Sequence, residues 1–136
     1  MLPRNDCLFI GILLLLILLP VSAASESFGL DSEQEIGHLL QFIEHSECTF
    51  IRNNESYSGV RAREHIQKKF NYIKKRKKEV SAEQFIKYAA SQSSLSKKPY
   101  TVNCGTRTLT SESWLIGELK QYRQLSKKHL SAQSAQ

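Results

Sequence analysis

A β-hairpin is predicted by the stretch Cys48-Thr-Phe-Ile-Arg-Asn-Asn-Glu-Ser-Tyr57, and the rest of the fold can be worked out from it. Its first half is rich in residues that favour strands, and Asn53-Asn54 tolerate the left-handed backbone that a tight hairpin turn requires. Glu55 to Tyr57 then form a short return strand. A two-stranded unit therefore begins at a cysteine.

A second β-segment follows in Pro99-Tyr-Thr-Val-Asn-Cys104. Its residues alternate as in a strand, Gly105 supplies a turn or a bulge, and residues 107–109 return as the partner strand. In both halves of the chain, a cysteine-bearing β-segment precedes a helix that starts at a serine or threonine cap. The two halves share negligible sequence identity, so this regularity describes architecture and not a detected repeat.

Four helices are predicted from apolar residues at helical spacing and from capping residues. The caps, in chain order, are Asp31 or Ser32, Ser58 or Gly59, Ser81, and Thr110 or Ser111. Glu35 lies three residues after Ser32, and Gln84 three residues after Ser81, as in a capping box. The first helix is expected to end near Ser46. The second carries an apolar stripe formed by Ala62, Ile66, Phe70 and Ile73.

The first residues are typical of a secretory signal peptide. Arg4 precedes an apolar run from Cys7 to Leu19, and small residues follow, so cleavage is expected after Ala23 or Ala24. The alternative is a retained N-terminal membrane anchor, but the run rises only about 20 Å as a helix against a hydrocarbon core of about 30 Å. The predicted divisions are a signal peptide over 1–23, a single domain over 24–125 and a polar, flexible tail over 126–136.

Removal of the signal peptide also removes Cys7, so the mature chain keeps Cys48 and Cys104. In an oxidising compartment these two cysteines form one disulfide, worth about 4 kcal/mol in the chain-entropy model. The rival interpretation, two free thiols in a catalytic or metal site, lacks a CxxC motif and enough ligands for zinc. The predicted fold is α+β: about four helices packed on a small antiparallel sheet of two short hairpins, tied by one disulfide.

The densest charge is a basic run at the end of the second helix. It comprises Lys68, Lys69, Lys74, Lys75, Arg76, Lys77 and Lys78. With a net charge of +6, the protein favours acidic partners such as an anionic lipid surface. A solvated helix end, whose cations complement the helix dipole, would have the same composition. Export disfavours nucleic acid as the partner, and no exposed aromatic platform is evident beyond Tyr72.

A polar binding groove is the second candidate site. Its residues are Arg52, Asn53 and Tyr57 on the first hairpin, with Ser93, Ser94 and Tyr100 leading into the second. These side chains would converge at one end of the sheet. In the structural alternative, Asn53 makes the turn, the two tyrosines cover the core and the serines belong to a loop or a cap.

Sequence motifs of known catalysis are absent from the chain, which has no GxSxG, HExxH, P-loop or GxGxxG. His38 and His45 lie on one helix but about 10 Å apart along its axis, too far to share a metal ion. No cofactor and no metal are therefore predicted. A site assembled in space from His45, Ser93 and Ser94 stays open as an enzymatic alternative.

The chain resembles a family of small exported proteobacterial proteins, the domain-of-unknown-function family 5329. The resemblance spans about residues 36–123 and is most specific in Glu44-His-Ser-Glu-Cys-Thr-Phe-Ile-Arg-Asn53. Its other parts are Tyr57, Phe85-Ile86, Ser93-Ser94, Pro99-Tyr100, Cys104 and Trp114-Leu115. Relatives typically have Asn-Gly where this chain has Asn53-Asn54. The resemblance implies a periplasmic location and a bacterial source, and it brings no catalytic residues.

These observations predict a non-enzymatic periplasmic binding or interaction module, with an envelope protein or an anionic lipid surface as its partner. One alternative is a small envelope hydrolase or transferase with a spatially assembled site. The other is a basic accessory protein that docks on anionic envelope lipids.

Overall fold

The computed structural model describes residues 27–133 and residue 135. Its elements in chain order are helix α1 (Ser27–Glu44), strands β1 (Thr49–Arg52) and β2 (Glu55–Tyr57), helix α2 (Gly59–Lys74), helix α3 (Ala82–Phe85), a π-helical segment (Ile86–Ala90), strands β3 (Thr101–Cys104) and β4 (Arg107–Thr110), and helix α4 (Ser111–Gln133). The α+β class with two hairpins is confirmed. The predicted signal peptide, with Arg4 and Cys7, lies outside the described residues.

The four strands form one antiparallel sheet in the order β2-β1-β3-β4. Phe50 is paired with Tyr57 on one side and with Val102 on the other, and Val102 is paired with Leu109. Phe50 and Val102 are buried in the core, so this row of side chains faces the helices. Because side chains alternate along a strand, Arg52 lies on the same face as Phe50.

The predicted disulfide joins the two central strands. Thr49 is paired with Asn103, so the next pair along the ladder is Cys48 and Cys104. Their Cα atoms are 4.5 Å apart, the spacing of the narrow pairs in an antiparallel ladder. The bridge spans a sequence separation of 56 and is present as predicted.

The hairpin turns follow from their residues. Asn53 and Asn54 have φ values of 51° and 69°, as expected for a turn whose two central residues are left-handed, and Gly105 has a φ of 64°. Helix α2 is capped by Ser58, whose hydroxyl accepts a hydrogen bond from the backbone N–H of Arg61. These local predictions are therefore confirmed.

A single core joins α1, α2, α3, the π-helical segment and the start of α4 to one face of the sheet. Its most deeply buried large side chains include Leu39, Ile43, Phe85, Ile86, Leu115 and Leu119. Helix α2 approaches α1 closely at Gly59, where an added Cβ would lie 2.3 Å from the backbone oxygen of Ile43. Only glycine fits at this contact.

The predicted start of α1 is wrong. The helix begins at Ser27, so Asp31 and Ser32 lie inside it, and it ends at Glu44 instead of Ser46. Glu35 does not complete a capping box, because its carboxylate binds Arg123 at 2.6 and 2.8 Å. In contrast, the capping box of Ser81 and Gln84 forms as predicted.

Helix α4 continues past the domain boundary predicted at residue 125. It ends at Gln133, so residues 126–133 are helical, while the flexibility of residues 126–136 stays a prediction. Among the helices that the structure describes, none combines the length and the apolar character needed to cross a bilayer.

Candidate functional site

One end of the sheet carries a row of polar side chains on its helix-facing side. Arg52 is paired with Glu55 on β2. The pairing of Ile51 with Thr101 places Arg52 beside Tyr100 on the other side. The backbone N–H of Ser111 donates to the backbone carbonyl oxygen of Tyr100, and this bond extends the row to the start of α4. The register therefore brings together residues from four separate parts of the chain.

A cleft of about 270 Å³ separates this row from the first half of α2. Its apolar wall comprises Phe50, Ile51, Ala62 and Ile66. Its polar lining comprises Arg52, Tyr57, Arg61, Glu64, His65, Lys68, Tyr100 and Ser111. Arg61 and His65 directly precede the stripe residues Ala62 and Ile66, so the packing of α2 onto the core directs this edge of the helix toward the sheet.

Two buried polar atoms in the cleft have no hydrogen-bond partner among the described residues. One is the Nε of Arg52, and the other is the hydroxyl of Ser111, a side chain that is only 1% exposed. Arg52 also forms no ion pair within the part of the chain that the structure describes. Buried polar groups are nearly always hydrogen-bonded, so an unpartnered pair in one cleft indicates a place for a polar ligand or water.

The buried Tyr100 hydroxyl connects α2 to the cleft. Its oxygen lies 3.1 Å from the Nε2 of His65 and 3.5 Å from the Nζ of Lys69. Because the Lys69 ammonium can only donate, the Tyr100 oxygen accepts from it. Lys69 also donates to the backbone oxygen of Gln92 at 2.6 Å, which ties α2 to the loop over residues 91–98.

Positive charge is concentrated around this tyrosine. Burial, followed by the charges of Arg52 and Lys97, lowers the pKa of Lys69 from 10.5 to about 8. Burial and the charges of Arg52, Lys69 and Lys68 lower the pKa of His65, so its ring is mainly neutral at neutral pH. Burial raises the pKa of Tyr100, and the Arg52 charge opposes that rise.

The carboxylates at the rim of the cleft already have partners. Tyr57 donates from its hydroxyl to Glu55 at 2.5 Å, which raises the pKa of Tyr57. Glu64 accepts from Arg61 at 3.1 Å. Neither carboxylate forms an ion pair with Arg52 among the described residues. The cleft is thus lined by a half-buried guanidinium that has no ion pair among the described residues, and by other polar side chains.

The candidate groove from the sequence is brought together in part. Arg52, Tyr57 and Tyr100 all line the cleft. Asn53 is in the turn instead, where its side-chain oxygen accepts from Ser96. Ser93 is buried, and its hydroxyl accepts from the backbone of Ser96.

Four polar residues of the cleft were missed in the sequence, namely Arg61, Glu64, His65 and Ser111. Arg61 and His65 are four apart and adjoin the apolar stripe of α2, a pattern that could have predicted them. Ser111 could not be predicted in this way, because its place depends on the pairing of β3 with β4.

The basic run is divided between two places. Lys68 lines the cleft, and Lys69 contacts Tyr100 behind it. Beyond them, Lys74 binds Glu33 at 3.0 Å, and the guanidinium of Arg76 lies 4.3 Å from the centre of the Tyr72 ring. The side chains of Lys75, Lys77 and Lys78 are exposed.

The structure does not assemble the predicted enzymatic site of His45, Ser93 and Ser94. His45 hydrogen-bonds through Nδ1 to the backbone oxygen of Gln41, and no hydrogen bond among the described residues joins it to either serine. His38 binds Glu118 at 2.6 Å and stacks on Tyr122, in another part of the molecule. In the chain from residue 27 onward, as far as it is described, no three histidine, cysteine, aspartate or glutamate side chains cluster as metal ligands do.

The chain matches a known protein family. Residues 30–123 match the model of a family of unknown function, DUF5329. The chain belongs to this family. All the cleft residues lie within the DUF5329 match, as do both cysteines and the whole of α2. No curated protein and no solved structure matches the chain, and export, periplasmic location and bacterial source stay predictions.

Proposed function

We propose that this protein is a non-enzymatic binding module that holds a small anionic ligand in the cleft between α2 and the sheet. The observation that carries this proposal is the half-buried Arg52, which has an unpartnered Nε and no ion pair among the described residues. The group bound is a carboxylate or a phosphate, because both accept paired hydrogen bonds from a planar guanidinium.

The charges around Arg52 favour an anion. Burial lowers the pKa values of Lys69 and His65, and the charge of Arg52 lowers both further. A bound anion offsets that positive charge and raises both pKa values. Binding is therefore expected to be coupled to proton uptake by these two side chains.

The dimensions of the cleft favour a small ligand or the end of a larger one. Its volume of about 270 Å³ lies near the lower limit for small-molecule sites, which run from about 300 to 1,000 Å³. The apolar wall of Phe50, Ala62 and Ile66 fits a short carbon skeleton, while Arg52, Tyr57 and His65 face its polar groups.

A periplasmic setting is part of this proposal. The disulfide of Cys48 and Cys104 supports an oxidising compartment, and the apolar run from Cys7 to Leu19 supports export. Intact mass spectrometry of the protein from its native host tests this setting. Loss of about 23 residues and two hydrogens is expected, whereas a full-length chain, or a shortened chain with two titratable thiols, would contradict it.

The ligand class can be tested by NMR titration of the isotopically labelled protein with inorganic phosphate and with acetate, at constant ionic strength. Saturable shifts are expected for Arg52, His65 and Tyr100. Arg52→Gln should weaken the binding at least about tenfold, since a hydrogen bond to a charged group is worth roughly 1.5–3 kcal/mol.

The matched control is Arg107→Gln, which removes the same charge from an exposed position on β4. It should leave the titration unchanged. Shifts that are spread over the surface, do not saturate and are equal in both variants would overturn the proposal.

A further inference from the structure

Three large apolar side chains are exposed on α2, on the π-helical segment and on the loop that follows it. Tyr72 on α2 is 56% exposed, Tyr88 in the π-helical segment 53%, and Leu95 in the following loop 95%. Tyr72 and Tyr88 line one open groove of about 620 Å³ together with Ser94, the neighbour of Leu95. We call this surface the tyrosine groove.

The tyrosine groove is continuous with the cleft, since His65 and Lys68 line both. Its other cations are Lys69, Arg76 and Lys77, and none of its lining residues is acidic. The guanidinium of Arg76 lies over the Tyr72 ring, and the ammonium of Lys87 lies 5.5 Å from the centre of the Tyr88 ring. Aromatic faces and cations therefore alternate across this surface.

The combination of exposed apolar side chains with cations distinguishes between possible partners. An acidic polymer would account for the cations but not for Leu95, whose side chain gains nothing from a polar chain. At a bilayer surface, tyrosine is enriched at the level of the head groups, leucine inserts into the acyl boundary, and lysine and arginine bind lipid phosphates. All three elements are present around the tyrosine groove.

We propose that the tyrosine groove docks this protein on an anionic phospholipid surface. Leu95, Tyr72 and Tyr88 enter the interface, and Arg76 and Lys77 lie against the phosphates. This docking is separate from anion binding in the cleft, and either one can fail without the other.

Vesicle co-sedimentation of the full chain tests the docking. The quantity measured is the excess of binding to vesicles of phosphatidylcholine with 30% phosphatidylglycerol over binding to pure phosphatidylcholine. The N-terminal apolar run is common to all variants, so differences between variants come from the folded part. The double variant Arg76→Gln/Lys77→Gln is expected to lose this excess by roughly tenfold or more.

A variant with Leu95→Ser is expected to bind at least about threefold more weakly, because one apolar side chain no longer enters the interface. Two controls match these changes at the far end of α4: Lys127→Gln/Lys128→Gln for charge and Leu125→Ser for an exposed leucine. Both are expected to bind as the unmodified chain does. Circular dichroism confirms that each variant is folded.

Equal losses of the excess binding in Arg76→Gln/Lys77→Gln and in Lys127→Gln/Lys128→Gln would overturn the proposal, because binding would then follow net charge alone. A loss on removal of Arg76 and Lys77 with no effect of Leu95→Ser would overturn it in favour of an acidic polymer. Binding of Arg52→Gln at the level of the unmodified chain would support the separation of docking from the cleft.

Discussion

The cleft and the tyrosine groove are two cationic regions on the same helix, and they differ in burial. Arg52 in the cleft is half-buried. Lys69, which contacts Tyr100 behind the cleft and also lines the tyrosine groove, is half-buried too, and its pKa falls to about 8. In the tyrosine groove, Arg76 and Lys77 are exposed, and Arg76 lies over the ring of Tyr72. Buried cations are suited to one anion of defined geometry, whereas exposed cations are suited to a surface with many anions. Charge density alone does not distinguish them.

Loss of the disulfide is the change expected to separate the two regions most strongly. In Cys48→Ser/Cys104→Ser the free energy of unfolding should fall by about 4 kcal/mol, measured by urea denaturation. Amide exchange should accelerate more in β1 and β3 than in α2, because Arg52 and Tyr100 belong to the strand pair that the bridge joins. Dithiothreitol should reproduce the effect in the unmodified chain and do nothing to the double variant. An unchanged urea midpoint would contradict this expectation.

The contact between α1 and α2 should be the next most sensitive feature. Gly59→Ala places a Cβ against the backbone oxygens of Ile43 and Glu44, which cannot move as a side chain would. A loss of about 1–3 kcal/mol in the free energy of unfolding is expected from this overpacking. It would shift the N-terminal half of α2, and with it Arg61 and His65 in the cleft.

The control for Gly59→Ala is Gly117→Ala in α4, where an added Cβ meets nothing within 4 Å. Because alanine favours a helix more than glycine does, this variant should gain up to about 1 kcal/mol. A gain in both variants, measured in the same urea experiment, would show that α2 is free to move away from α1.

The smallest expected effect is a dependence of stability on pH through Lys69. Its pKa is about 8 in the folded chain and 10.5 in the absence of the fold, so between these values the unfolded chain holds more protons. Stability should therefore rise with pH from about 8 toward 10. Above the usual tyrosine pKa of 10.0, the raised pKa values of Tyr57 and Tyr100 act in the opposite direction.

Lys69→Met should flatten the rise in the urea midpoint between pH 8 and pH 10, whereas Lys68→Met, at the exposed neighbouring position, should keep it. If the urea midpoint rises as steeply with pH in Lys69→Met as in the unmodified chain, the rise comes from another group. This comparison measures burial directly, because the two lysines are adjacent in sequence.

The features that the sequence predicted correctly are local. The turn at Asn53-Asn54 and the capping box at Ser81 depend only on neighbouring residues. The start of α1 failed because the side chain of Glu35, which suits a capping box, binds Arg123 instead, 88 positions away. A tertiary ion pair of this kind cannot be read from a short window.

The same distinction applies to the candidate site. Arg52 and Tyr57 could be placed together because one hairpin joins them. His65 and Ser111 reach the cleft only through the packing of α2 and the pairing of β3 with β4. Tyr88 could not be assigned to a surface with Tyr72, since its position depends on how the π-helical segment packs on α2.

The order of the strands also constrains how the molecule can be built. β1 and β2 are close in the chain and can pair as soon as both have been synthesised. The other edge of β1 pairs with β3, which follows α2 and α3 in the chain and is therefore synthesised later. During that interval β1 presents an open edge to which other chains could pair. Pairing of β3 with that edge brings Cys48 and Cys104 together, so the disulfide then fixes the two central strands to each other.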